Sequence, residues 1–250
     1  SLIPAMDRIL EYGADKGLQQ VVVGMAHRGR LNVLANILQK PYRDIFAEFA
    51  ATGYHQSVNA GDVKYHLGYQ NRKKLDNGNT IEITLLPNPS HLETVTPVTI
   101  GVSRAIIEHR FHGEFDSVLP IVIHGDAAIA GQGVVYETIQ MAGLEGYTVG
   151  GTIHVVINNQ VGFTTNYTEG RTSTYSTDVA KVTQCPVIHV NADDVEAVIF
   201  AVELAVEFRQ KWHGDVFIDL LGYRRHGHNE GDEPRFTQPR LYKLIEQHPN

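Results

Sequence analysis

The chain has 250 residues, 42% of them apolar, enough for one large domain with a buried core. Its formal net charge of -7, with no stripe of Lys and Arg, excludes a general nucleic-acid binder, whose affinity rests on clustered cations. The single cysteine, Cys185, excludes an internal disulfide framework, and no apolar run is long enough to span a bilayer, so no membrane association is expected and a reducing compartment is, either bacterial cytoplasm or mitochondrial matrix.

In chain order, the sequence predicts a strand at 20–26 (QVVVGMA), helices at 31–39 and 42–51, a polar irregular segment at 52–80, and a strand at 81–87 (IEITLLP). A helix at 97–110, a strand at 118–124 (VLPIVIH), a helix at 133–144 and a strand at 151–158 (GTIHVVIN) follow. A second irregular segment occupies 162–177, and a strand at 186–190, a helix at 194–212 and a strand at 215–223 complete the pattern. The strands are rich in Val and Ile and lack strict alternation, as a sheet covered on both faces requires. Alternating strands and helices predict an α/β fold, a three-layer sandwich with a mainly parallel sheet, formed by residues 1–250 as one domain. Because the sequence opens at SLIPAMDRIL without an initiator methionine and closes at EQHPN, the expectation is a piece of a longer multidomain chain.

The stretch IVIHGDAAIAGQGVVYETIQ, from Ile121, carries the strongest local signal. An apolar run ends in a glycine-rich turn, yet Tyr136 stands where a dinucleotide fingerprint needs its third glycine, and no Gly-Lys-Ser/Thr follows. Ligands of open α/β sheets collect beyond the carboxyl ends of strands. Asp126 follows one predicted strand, and Asn158 and Asn159 follow another. If those strands are close, the Asp126 carboxylate, the Asn159 amide oxygen and a backbone carbonyl of the turn NNQVG offer three hard oxygens to Mg²⁺, leaving about three octahedral positions for phosphate and water. Glycines 125, 131 and 133 allow close backbone approach, and the next helix start supplies N–H groups for an anion. On spacing alone a plain reading stands beside this one, since Gly-Asp is a common N-cap turn and Asn-Asn a common β-turn.

Among thirteen histidines, His27, His66, His91 and His124 lie beside glycine, serine or a strand end. Imidazole N–H groups there suit the carboxylates of a dianionic substrate, while packing is the alternative for His91 and His124. His226 and His228, with Glu230 or Asp232, offer a zinc alternative, set against a glycine-rich loop and no His-Glu-x-x-His motif. The segment EGRTSTYSTD (169–178) reads either as a loop near a bound diphosphate or as a solvated one.

Gly-Asp followed 33 positions later (126 to 159) by the second Asn of Asn-Asn resembles the signature of thiamine-diphosphate enzymes. With GMAHRGRLNVLAN (24–36), GDVKYHLGY (61–69), NPSHLE (88–93), IHGDAAIAGQGVVYET (123–138), INNQVGFTT (157–165) and YRRHGHNEGDEP (223–234), nearly the whole chain resembles the thiamine-diphosphate-dependent decarboxylating components of the 2-oxoglutarate dehydrogenase family. The resemblance implies a thiamine-diphosphate-binding, transketolase-like fold, with Asp126 and Asn159 as side-chain ligands of Mg²⁺ and Val161 as a backbone ligand where the family often has isoleucine. It implies Arg28 near the phosphates, Leu92 against the cofactor rings, and Gly125, Ala127 and Ala128 as main chain on which the cofactor lies. His27, His66 and Ser90 become contacts to substrate or reacting centre, and the HGH loop borders the site.

The implied reaction, a step of the tricarboxylic acid cycle, is oxidative decarboxylation of 2-oxoglutarate. The succinyl group passes to the lipoyl group of a dihydrolipoyl succinyltransferase partner, and the enzyme is a homodimer. A further thiamine-type domain toward the C-terminus supplies the activating glutamate in that family, so residues 1–250 alone are expected to bind cofactor weakly and not to turn over. A related 2-oxoadipate enzyme shares most of these blocks, although YRRHGH and GDVKYHLG fit the 2-oxoglutarate type better. A metal-dependent hydrolase built on HGH and a noncatalytic binding module are the alternatives from other classes.

Overall fold

The computed structural model describes residues 1–50 and 66–249, without the side chain of Ala50. Residues 61–65 of the GDVKYHLGY block and 52–65 of the segment expected to be irregular lie outside the described residues, as does the last position of the helix expected at 42–51. In chain order the elements are α1 (Leu2–Asp15), β1 (Gln20–Met25), α2 (Arg30–Asn36), α3 (Tyr42–Ala50), β2 (Tyr69–Lys74), β3 (Thr80–Leu85), α4 (Val95–Phe111), β4 (Val118–Gly125), α5 (Asp126–Gly131) and α6 (Gly133–Met141). They continue with β5 (Ile153–Asn158), β6 (Val161–Gly162), β7 (Thr165–Asn166), α7 (Tyr167–Gly170), β8 (Val187–Asn191), α8 (Val195–Trp212), β9 (Val216–Leu221) and α9 (Pro239–Gln247).

Among the described residues the main sheet has seven strands in the order β2-β3-β1-β4-β5-β9-β8. Every neighbouring pair is parallel except β2 with β3. β1 is buried along its whole length and β4 as far as His124 because helices cover both faces. Val21, Val23, Leu119, Ile121, Ile218 and Leu220 pack on one face with Ile9 and Leu10 of α1 and Val198 and Val202 of α8. On the other, Val22 and Val118 meet Val95 and Ile107 of α4, while Val156 and Phe217 meet Val135 and Ile139 of α6. The result is the three-layer sandwich that the alternation predicts. α4 crosses β1 at such close range that a Cβ on Gly24 would lie 2.0 Å from Thr99 Oγ1, so any larger residue at this strand position displaces the Thr99 side chain. Among the described residues no helix is long and apolar enough to cross a membrane.

Three parts of the fold depart from the sequence expectation. Residues 2–15, assigned no element, form α1, whose buried Ala5, Met6, Ile9, Leu10 and Gly13 recur at helical spacing. Lys-rich β2, inside the segment expected to be irregular, is an edge strand whose side chains alternate between half-buried and exposed. One solvated face and a row of cations are what an edge strand carries, and both read as loop in a one-dimensional pattern. The segment 162–177 is ordered into the β6–β7 hairpin, α7 and a 3₁₀ turn at Ser176–Thr183.

Candidate active site at the carboxyl edge of the sheet

Six of the strands run parallel, so their carboxyl ends share one edge of the sheet. The chain places β3 on one side of β1 and β4 on the other, which makes the tips of β1 and β4 a topological switch point, the place where such sheets receive ligands. His27 and Arg28 follow β1, the stretch 88–93 follows β3, Asp126 follows β4, Asn158 and Asn159 follow β5, and the HGH loop follows β9.

Strands β4 and β5 are adjacent, with Gly125 paired to Ile157, so Asp126 and Asn159 stand just beyond a fixed register. Asp126 opens α5, is only 2% exposed, and lies close enough to the backbone N–H groups of Ala127 and Asn159 for them to favour its charged form. Burial pushes its carboxyl above the ordinary aspartate range, against the opposing pull of Arg171 and of those N–H groups. The two asparagines diverge. Asn158 turns inward and donates to Asp219 Oδ1 at 3.0 Å, whereas the Asn159 amide oxygen accepts the Val161 N–H at 3.1 Å, tying the side chain to the backbone turn that enters β6. Hairpin β6–β7 crowds the start of α5: a Cβ on Gly162 would meet that of Ala127 at 2.9 Å. Asp126, Ala127, Asn159 and the Val161 turn are thereby brought together, with Gly125 as the N-cap.

This arrangement fits a hard cation. Among the described residues a carboxylate this buried has a single cationic neighbour, Arg171 Nη1 at 3.8 Å, and is short of positive charge. With the amide oxygen of Asn159 and a main-chain carbonyl of the same turn it would make an all-oxygen set, suited to Mg²⁺ rather than to zinc. Among the described residues no three His, Cys, Asp or Glu side chains gather as a metal-holding group. In the HGH loop, Asp232 accepts the backbone N–H of His228 at 2.7 Å, so that carboxylate is turned to the main chain instead of to a ring.

The block HRGR divides its two arginines. Arg28 donates to the His228 carbonyl at 2.8 Å and lies 3.2 Å from its Nδ1, joining the β1 tip to the HGH loop. Arg30 is fully buried and donates to the carbonyls of Met25 at 3.1 Å, Leu67 at 3.0 Å and Leu86, binding the end of β1 to the 66–67 segment and the exit of β3. Its burial pushes the guanidinium down to about 10. His66 is buried nearby, with its carbonyl accepting the Asn88 N–H at 2.9 Å. The rings of His27 and His66 lie 6.4 Å apart, and His27 is held below the usual imidazole range by burial, Arg28 and His66. His228 is shifted the same way by burial and its two arginine neighbours, so both rings favour the neutral form. Neutral imidazoles can donate from one nitrogen and accept at the other.

Ser90, His91 and Leu92 are exposed on the turn after β3, and Leu92 shows 43% of its surface. Glu93 closes that turn with φ +66°, its carboxylate 2.6 Å from His124 Nδ1. Burial pushes Glu93 up, but the charge and hydrogen bond of His124, with help from Thr96, hold it below the usual carboxylate range. His124 Nε2 in turn lies 2.9 Å from His154 Nδ1, placing His124 within a buried polar chain under the site. Sequence reasoning missed Arg30, Glu93 and Arg171. All three lie inside quoted stretches but carried no distinguishing spacing, and for Arg171 the stretch 169–178 was read only as a loop, near a diphosphate or solvated, with no residue singled out.

The sequence pattern of the family described as dehydrogenase E1 component matches residues 5–250. Relatives named 2-oxoglutarate dehydrogenase E1 component from Brucella suis, Brucella ovis and Brucella abortus are each 51% identical over 259 aligned residues, covering 99% of this chain and 26% of the relative. The chain thus spans about a quarter of the length of the curated relatives it matches. With a match across nearly its whole length, this chain belongs to the dehydrogenase E1 component family.

Proposed function

We propose that the carboxyl edge of the sheet binds thiamine diphosphate through Mg²⁺ and that the protein is the decarboxylating component of a 2-oxoglutarate dehydrogenase. The observation that carries this reading is the meeting of the buried Asp126 carboxylate with the Asn159 turn at adjacent strand tips, in a chain 51% identical to proteins of that name. Asp126, Asn159 and the Val161 carbonyl hold the cation, and Arg28 faces the phosphates. Gly125, Ala127 and Ala128 present main chain to the cofactor, and Leu92, an exposed apolar side chain at the same edge, packs on its rings.

Bound there, the cofactor supplies the electron sink that decarboxylation of a 2-oxo acid requires. The chain contributes position and electrostatics. His27 and His66, held together by the Arg30 anchor, and Ser90 on the neighbouring turn orient the substrate carboxylates. His27, shifted toward its neutral form, donates a hydrogen bond without repelling Arg28. Removal of water from this edge strengthens each of these contacts. The succinyl group is delivered to the lipoyl group of a dihydrolipoyl succinyltransferase, and the working enzyme is a homodimer.

Calorimetric titration of the full-length protein with thiamine diphosphate, with and without Mg²⁺, tests the reading. Mg²⁺-dependent binding lost in Asp126→Ala is the expected result; cofactor binding indifferent to both metal and Asp126 contradicts it. Turnover of 2-oxoglutarate compared with 2-oxoadipate fixes the substrate, with a higher kcat/KM expected for 2-oxoglutarate.

A further inference from the structure

We propose that Arg171 is a second phosphate-binding arginine of this site, turning its guanidinium to the cofactor's diphosphate when the divalent cation occupies Asp126; the proposal rests on the thiamine diphosphate reading above. The Arg171 side chain is only 10% exposed and its Nη1 lies 3.8 Å from Asp126 Oδ2, a charge contact too long to be a hydrogen bond. Its Nε is buried and has no hydrogen-bond partner among the described residues. A guanidinium carries five donors in a flat fork that matches phosphate oxygens, and an idle buried donor is costly. An unpartnered Nε alone does not set Arg171 apart, because buried Arg30 has one too; the difference lies in the other nitrogens. Arg30 donates from Nη1 and Nη2 to main-chain carbonyls, and Arg209 directs Nε to the Gly151 carbonyl at 3.1 Å and Nη2 to those of Val118 and Val149 at 2.7 and 2.9 Å, whereas among the described residues the Nη1 of Arg171 makes only the long charge contact to Asp126.

Position supports the same assignment. Arg171 follows α7, whose first residue, Tyr167, donates its backbone N–H to the Gln160 carbonyl at 3.1 Å. The arginine is therefore tethered to the turn that holds Asn159 and Val161. Its guanidinium lies 5.3 Å from the centre of the Tyr167 ring, which steadies it at the edge of the site.

Charge balance gives the reason for two arginines. A terminal diphosphate carries about three negative charges near neutrality, and Asp126 adds one more. A divalent cation leaves roughly two uncompensated, a number that Arg28 and Arg171 together match. A cation seated on Asp126 also repels Arg171 from the carboxylate, so the contact seen at 3.8 Å gives way as the phosphates arrive.

The test compares the full-length protein with its Arg171→Ala and Arg171→Lys variants, titrated with thiamine diphosphate and, separately, with inorganic pyrophosphate, both with Mg²⁺ present. Arg171→Ala is expected to weaken both ligands by a similar factor of about ten to a hundred, because the lost contact is to phosphate. Arg171→Lys, a point charge without the fork, is expected to fall between, and it carries the test should the alanine variant not fold. Affinities within twofold of wild type in both variants overturn the proposal. So does a lowered melting temperature of the ligand-free alanine variant with unchanged affinities, which would make Arg171 a mere counterion of Asp126. Should the wild-type protein fail to take up thiamine diphosphate with Mg²⁺, the functional reading falls first and this proposal with it.

Discussion

Two arginines two positions apart in HRGR meet opposite fates, Arg28 at the exposed edge and Arg30 with no surface at all. Nothing in the dipeptide spacing distinguishes them. Gly29, with φ +77°, caps α2 and reverses the chain so that the two side chains part, and the carbonyls of Met25, Leu67 and Leu86 then trap Arg30. Replacing Arg30 by methionine leaves those buried acceptors without a donor. Each such loss costs on the order of 1–3 kcal/mol, so Arg30→Met is expected to destabilise by at least about 3 kcal/mol, read as a lower urea midpoint at unchanged m-value. Because Arg30 also fixes the segment of His66, the proposed substrate contact of that residue predicts weaker substrate binding by the residual folded protein as well. A midpoint shift below about 1 kcal/mol would show that the anchor is dispensable.

At the scale of elements, β5 carries a polar side chain where parallel strands normally carry Val or Ile. His154 is wholly buried, stacked on Phe217 of β9 at 4.2 Å between ring centres, with Nδ1 2.9 Å from His124 and Nε2 3.6 Å from Asp215. Burial holds it below the usual imidazole range, against the pull of Asp215. The sign follows directly. The unfolded chain takes up a proton near pH 6.5 while the folded one does not, so the contribution of His154 is complete above about 6.5 and is lost as pH falls toward the folded value, by at most about 1.4 kcal/mol per pH unit. His154→Gln removes that titration and keeps hydrogen-bonding capacity. The stability gap between wild type and this variant should narrow between pH 7 and pH 5 in urea denaturation, and a gap independent of pH would refute the assignment.

Other elements show which local signals suffice. Interior strands were readable from their Val-rich runs, and α8 from its length and apolar content, because a layered fold repeats one demand: cover both faces of a parallel sheet. β2 was not readable, since a single neighbour and a wet outer face ask nothing of Gln70, Arg72 and Lys74 beyond extended geometry. α1 was missed although its apolar stripe is regular; Pro4 falls in its first turn, where proline is tolerated rather than disruptive.

For the whole molecule, the relatives are about four times as long as this chain, which fills only 26% of them. On the proposed function, residues 1–250 in isolation are expected to bind thiamine diphosphate weakly and to release no measurable carbon dioxide from 2-oxoglutarate, because they fill only about a quarter of the length of the relatives. Steady decarboxylation by the isolated 250 residues would disprove this.

What the amino-acid sequence determined alone was the layered α/β class and which polar residues stand at the strand tips, since burial on two faces imposes recognisable residue types between them. Convergence was decided only in three dimensions. Asp126 meets the Asn159 turn because β4 and β5 are neighbours in the sheet, and Arg28 meets His228 across 200 residues because β1 and β9 end at the same edge. Such contacts arise from strand order and register, which depend on how all the helices pack at once and leave no trace in any local stretch of sequence.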